Sequence, residues 1–207
     1  SLIVGFYAEF DPENFRANLQ RRDEAWDDDV IGIALDVYGD TRNMVFLGSN
    51  AFGVQLDVRK NDPANPRFGN EFDESFDCNY ETWAKRYDSS YTVEMRIPFN
   101  SLQFGNSNEQ RWKFAFWRKS FNGAQEITIQ TFFLDRAIQC EDCQYSHALI
   151  LDGIKPKLRS TLLPYAFSAV SSEPSNEISS VTKFGGSAFV ALSPATSIEA
   201  ASVSYTH

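Results

Sequence analysis

Trp26-Asp27-Asp28-Asp29 is the densest run of chemically able side chains in this chain. An indole beside carboxylates can stack on the apolar face of a sugar ring while the carboxylates accept hydrogen bonds from its hydroxyls. The hard oxygens of Asp27, Asp28 and Asp29 could instead hold calcium, the one cofactor these residues suggest. A third reading is a solvated acidic loop that keeps a strand edge from aggregating. An EF-hand loop is excluded, because no leading Asp is followed by Gly at position six together with Glu at position twelve.

Glu94 and Arg96 lie two apart in an alternating segment and face outward, as does Trp117 in a later one. With Trp26, Asp28 and Asp29 they form the candidate ligand-binding set. A lattice of ion pairs is the competing role: Glu94 and Arg96 could meet Arg118 or Asp57 across strands, with Arg21, Arg22 and Asp23 joining. Glycoside hydrolysis by Glu94 would need a second carboxylate ~5–9.5 Å away across a cleft. No catalytic residue is assigned on sequence alone.

Cys140 and Cys143 are spaced Cys-x-x-Cys, with His147 nearby and Cys78 distant. Three sulfurs and an imidazole could hold zinc. Only one close pair exists, however, so a disulfide among Cys78, Cys140 and Cys143 with one thiol left over is the stronger expectation, its connectivity open. Redox use of the Cys-x-x-Cys lacks the surrounding βαβ pattern. Met44, Met95 and two histidines are too few and too scattered for haem, and no nucleotide loop, nucleophile elbow or metalloprotease helix is present.

The composition narrows the partners. The formal charge is -9 over 207 residues, which repels nucleic acid and anionic lipid and suits cations or neutral sugars. Residues 156–207 hold three basic and three acidic side chains, so the whole deficit belongs to residues 1–155. That shift predicts a domain boundary near Pro156. No apolar run of ~18 residues occurs, so no membrane-spanning helix is expected. Ser1–Glu9 reads as strand from the outset, which predicts that earlier strands and an export signal lie outside this sequence.

These residues must be positioned by strands. Leu2–Glu9 is apolar enough to be central or buried on both faces. Asp11-Pro12-Glu13 opens a short helix expected to run to about Arg22, with Phe15 and Leu19 on one face. Val30–Val37 alternates, Ile31, Ile33, Leu35 and Val37 against Gly32, Ala34 and Asp36. Further strands are expected over Met44–Ser49, Phe52–Arg59, Glu81–Lys85, Tyr91–Phe99, Trp112–Arg118 and Ile127–Phe133, with a loop over 61–74. In Trp112–Arg118 the residues Trp112, Phe114 and Phe116 share one face, and Lys113, Ala115 and Trp117 the other. Short strands at this spacing predict an antiparallel β-sandwich.

After Pro156 small polar and apolar residues alternate. Leu158–Ala169 is one strand, and Gly186–Leu192 meets Ile198–Tyr205 through Ser193-Pro194-Ala195-Thr196. This fits either transmembrane barrel strands or an ordinary hairpin on a soluble sheet.

The order Tyr7-Ala8-Glu9-Phe10-Asp11-Pro12, Arg21-Arg22-Asp23, Asp28-Asp29-Val30, Asn50 to Asp57, Trp83, Val93 to Phe104, Trp112-Lys113-Phe114 and Leu162-Leu163-Pro164-Tyr165 resembles a known arrangement. It is similar to the carbohydrate-binding module family nine-like domains that precede an outer-membrane β-barrel in Gram-negative bacteria. The resemblance implies an all-β protein: a β-sandwich over residues 1–155, then a linker and the first barrel strands over 156–207. It implies residence at the outer membrane or periplasm, and a non-catalytic module that binds glycan or another exported ligand. Alternatives are a plug or assembly module docking on its own barrel or on partner outer-membrane proteins, and a glycoside hydrolase-like enzyme. In sugar-binding relatives the strand after the acidic loop commonly carries a Glu that grips hydroxyls; here that position is Gly32.

Overall fold

A computed structural model describes residues 1–60, 72–138, 140–157, 160–172, 178–193 and 196–206. The chain divides into two compact units, Ser1–Lys155 and Pro156–His207. Both are all-β, and every strand pairing is antiparallel.

The first unit contains β1 (Leu2–Glu9), β2 (Val30–Asp36), β3 (Met44–Asn50), β4 (Gln55–Lys60) and β5 (Phe72–Asp73), then β6 (Glu81–Arg86), β7 (Ser90–Ile97), β8 (Glu109–Asn122), β9 (Gln125–Gln130) and β10 (His147–Asp152). Three of them form a small sheet in the order β1-β7-β6. The others form a larger sheet, β10-β8-β2-β3-β4-β5, with β9 also paired to β8.

One core joins the two sheets. Tyr91, Val93, Met95 and Ile97 of β7 pack with Ile31, Ile33 and Leu35 of β2, Leu47 of β3 and Trp112 of β8. A second core covers the opposite face of the large sheet, where Val30, Ala34, Met44, Leu56, Ala115 and Trp117 meet Phe132 and Tyr145 from the segment after β9. All seven residues of β2 are therefore buried, which explains why Val30–Leu35 is small and apolar throughout, while the closing Asp36 accepts from Gly39 N and Thr41 N.

Two expectations about the N-terminal region are corrected. β1 is an edge strand, with Val4 and Ala8 inward and Ile3 (72% exposed) and Tyr7 (63% exposed) facing solvent. The central strand of its sheet is β7. The helix expected over 11–22 is a single turn: Asp11 O accepts from Asn14 N and Phe15 N, both at 3.0 Å, and the Asp11 carboxylate accepts from Glu13 N. Beyond Phe15 the backbone donors are taken by carboxylates rather than by carbonyls four residues back. Arg16 N donates to Asp29 Oδ2 (3.0 Å), Arg16 O accepts from Asp29 N (2.7 Å), and Asn18 N donates to Asp28 Oδ2 (2.9 Å). Phe15 stacks on Phe10 with centroids 3.7 Å apart, whereas Leu19 is exposed. The only helical segments among the described residues are short 3-10 turns at Ala25–Asp27, Phe99–Ser101 and Asp142–Gln144.

The second unit is one sheet of long strands in the order β11-β12-β13: β11 (Ser160–Ser172), β12 (Ile178–Ser193) and β13 (Thr196–Thr206). Leu158 and the Pro194-Ala195 pair of the expected turn lie outside the described residues, as does the loop over 61–71.

Candidate functional site

The three consecutive aspartates do not converge. Asp27 is exposed. Asp28, 1% exposed, accepts from Asn18 N and Nδ2, Gln20 Nε2 and Asn50 Nδ2 at 2.7–3.3 Å. Asp29, 2% exposed, holds Arg16 N and lies 3.8 Å from the Arg118 guanidinium. Burial pushes the Asp29 carboxyl up, partly offset by Arg16 N–H and Arg118. Asn50 completes the network: Nδ2 donates to Asp28 and to Asn18 O, and Oδ1 accepts from Phe52 N and Val54 N. Its full hydrogen-bonding capacity is used. These carboxylates bind N–H donors of the chain's own 16–20 segment, a donor set that leaves no open oxygen cage for calcium.

Trp26 and Trp117 do come together, though not at the surface. Their rings stack 6.4 Å apart at 16°, and Trp117 is 9% exposed. Trp117 pairs across the ladder with Gly32, which pairs with Gly48, and the indole occupies the space that two side chains would otherwise fill. A Cβ on Gly32 would lie 2.9 Å from the indole and 2.1 Å from Leu47 O; a Cβ on Gly48 would also lie 2.9 Å from the indole. The face expected to carry Trp117 outward is thus covered, because the segment after β9 folds over it.

Arg22 centres a second polar cluster. Its Nε donates to Asp57 Oδ1 (2.8 Å), its Nη1 to Gln55 Oε1 (3.0 Å), and its Nη2 to Asp57 and to Cys78 O. Cys78 N donates to the other Asp57 oxygen, and Asp57 N donates to Asp23 Oδ1. Burial pushes the Asp57 carboxyl up to about 6, against the pull of Cys78 N–H and Arg22. Asp23, Asp57 and Asp77 bring carboxylate oxygens within 4.8 Å of one another. Arg22 reaches all three, so a guanidinium already supplies the positive charge that such a group invites. Tyr80 adjoins this centre under the Arg22 guanidinium. Its hydroxyl bridges the β3–β4 ladder, reaching Gly48 O at 2.8 Å and accepting from Leu56 N at 3.0 Å.

Glu94 and Arg96 lie elsewhere, on the solvent side of the small sheet. Arg96 pairs with Glu81 at 2.9 Å; Arg118 and Asp57 of the large sheet have other partners, Arg118 donating to Glu9 O and lying near Asp29, and Asp57 holding Arg22. The strand register arranges this outer face in rows: Ile3–Arg96–Glu81, Gly5–Glu94–Trp83, and Tyr7–Thr92–Lys85. Trp83 is 55% exposed. A Cβ on Gly5 would have nothing within 4 Å, so the glycine leaves a shallow gap beside Glu94. Two aromatic plates on opposite edge strands therefore flank an exposed carboxylate. They stand two strands and two residues apart, roughly 12 Å by ordinary sheet spacing.

Cys140 and Cys143 form the disulfide, and Cys78 stays outside it, buried with Sγ 3.9 Å from Ser101 O. His147 packs against Phe114. Sequence reasoning did not single out Tyr7, Trp83 or Lys85 as site residues. The alternation of Glu81–Lys85 with Tyr91–Phe99 contained the signal, but only the register of β1 against β7 puts Tyr7 on the same face.

The described residues form an all-β antiparallel fold whose first unit opens an aromatic, charged sheet surface to solvent. No family model, curated protein or solved structure matches the chain.

Proposed function

We propose that the first unit is a non-catalytic β-sandwich that binds a glycan on the outer face of its small sheet, in a protein whose second unit contributes strands to an outer-membrane barrel. The observation that carries this reading is the row Gly5–Glu94–Trp83 with Tyr7 on the next row. A pyranose ring offers a C–H face to an aromatic plate and hydroxyls to a carboxylate or guanidinium, and this surface presents all three partners. Glu94 accepts from hydroxyls, Trp83 and Tyr7 stack, and Arg96, already held by Glu81, borders the ligand. Trp26 and Trp117 serve as scaffold on the large sheet's other face, and Asp28 and Asp29 as anchors of the 16–20 segment. Neutral sugars also suit a chain with a formal charge of -9, which an anionic polymer does not.

The test is titration calorimetry of the chain against a panel of neutral oligosaccharides. Trp83→Ala and Glu94→Gln should each weaken binding at least tenfold, while Trp26→Ala should not. Binding that survives both changes would move the site off this face. Absence of affinity for every glycan would leave the alternative, a module that docks on its barrel or on partner proteins.

A further inference from the structure

We propose that the second unit's sheet is two-sided in a directed way: the face carrying Leu162, Pro164, Ala166, Phe184 and Ala188 meets bilayer hydrocarbon, and the opposite face meets water. This rests on the barrel half of the function proposed above and adds which side does which.

The register of β11, β12 and β13 places residues on the two faces by alternation. On the first face the rows run Ser160–Val190–Ile198, Leu162–Ala188–Ala200 and Pro164–Gly186–Ser202, then Ala166 beside Phe184 and Ser168 beside Thr182. Not one of these positions is charged. Apolar side chains are uncovered on both faces, Leu162 (72%), Phe184 (53%) and Ile198 (54%) on this one and Leu163 (60%) and Phe167 (54%) on the other, so it is charge rather than exposure that tells the two apart. In water such a surface invites aggregation.

The other face carries the unit's charges among the described strand residues. Lys183 stands opposite Phe167, and Glu199 opposite Phe189. Tyr165 lies over Gly185, where a Cβ would come within 2.4 Å of the tyrosine oxygen. A charge at the bilayer midplane on a lipid-facing barrel position is strongly unfavourable, whereas the lumen tolerates it. The distribution therefore has only one orientation that buries no charge in hydrocarbon.

The dimensions agree. Five rows spaced by two residues each span roughly 27 Å along the strands, and about 20 Å across a bilayer at ordinary barrel tilt, close to the apolar band of such proteins. The end row, Ser168 and Thr182, is hydroxylic, as suits an interface. In a bilayer the outer edges of β11 and β13 must each be paired by a further strand, so the test uses the chain in whatever assembly it forms on vesicles.

Single cysteines are introduced as Ala166→Cys and Ala188→Cys on the first face, and Ser187→Cys and Ala201→Cys on the second. Each is labelled with an environment-sensitive fluorophore; Cys78 is buried and the other two cysteines are bonded. The full chain is bound to vesicles of zwitterionic phosphatidylcholine, with and without nitroxide-bearing acyl chains. Labels at 166 and 188 should be quenched at least twofold by the nitroxide lipid and spared by aqueous iodide, and labels at 187 and 201 should behave oppositely. Vesicle-bound chain with the reverse pattern, or with equal quenching on both faces, overturns the assignment while the barrel reading stands. Labels at 166 and 188 shielded from both quenchers would mean that protein covers this face, and overturn it too. Failure of the folded chain to associate with vesicles removes both.

Discussion

Trp117 lies against Gly32 of the neighbouring strand so closely that a Cβ there would stand 2.9 Å from the indole and 2.1 Å from Leu47 O. Position 32 has no room for a side chain because a tryptophan and the neighbouring backbone fill its space. Gly32→Ala should destabilise the first unit by at least the ~1–3 kcal/mol of an overpacked core, and Gly32→Glu should prevent folding rather than create a sugar grip. Urea denaturation of the two variants checks this. A stable Gly32→Glu chain would show that the indole can swing away.

Removing the indole instead leaves a void. Trp117→Ala should cost ~3–5 kcal/mol, and Trp26→Ala less, because Trp26 is only half-buried and stacks on one side. Denaturation midpoints at constant slope give the comparison, and the order Trp117 above Trp26 is the expected result.

Arg22 and Asp57 set a pH dependence. Folded Asp57 titrates at about 6, above the ordinary aspartate value of 3.8. Between those values the folded chain holds a proton that the unfolded chain has released. Acid therefore favours the fold in that window, and the contribution is lost as pH rises through about 6. Arg22→Gln leaves a buried carboxylate without its cation and should cost ~3–5 kcal/mol at neutral pH. The loss should shrink near pH 5, where Asp57 is protonated. Equal losses at pH 5 and pH 7.5 would contradict this account.

Reduction of Cys140–Cys143 should be tolerated. The bridge closes a loop of three residues' separation, for which chain entropy gives about 2 kcal/mol. The Phe132–Tyr145 contact, with centroids 4.6 Å apart, also holds this segment on the large sheet. Reductant should lower the unfolding midpoint without abolishing the cooperative transition. Labelling of Cys78 should wait for global unfolding.

Trp83→Ala and Tyr7→Ala should change stability by less than ~1 kcal/mol, since both rings project into solvent. That neutrality makes them clean probes of binding on the outer face of β1-β7-β6.

Much of this protein is written locally. Alternation in Val30–Val37 and Trp112–Arg118 gives strands and divides their residues correctly between two faces, because side-chain direction in a strand depends only on residue parity. Which face meets water is not local. Trp117 looked outward until a segment some fifteen residues later covered it, and Ile3 and Tyr7 looked buried until β1 proved to be an edge. The Asp11-Pro12-Glu13 start signal is used, but only for one turn. Two aspartates further along the chain capture the next backbone donors more strongly than the helix would. Parity and composition decided the strands; register and the competition for buried hydrogen bonds, which exist only once distant segments meet, decided what those strands display.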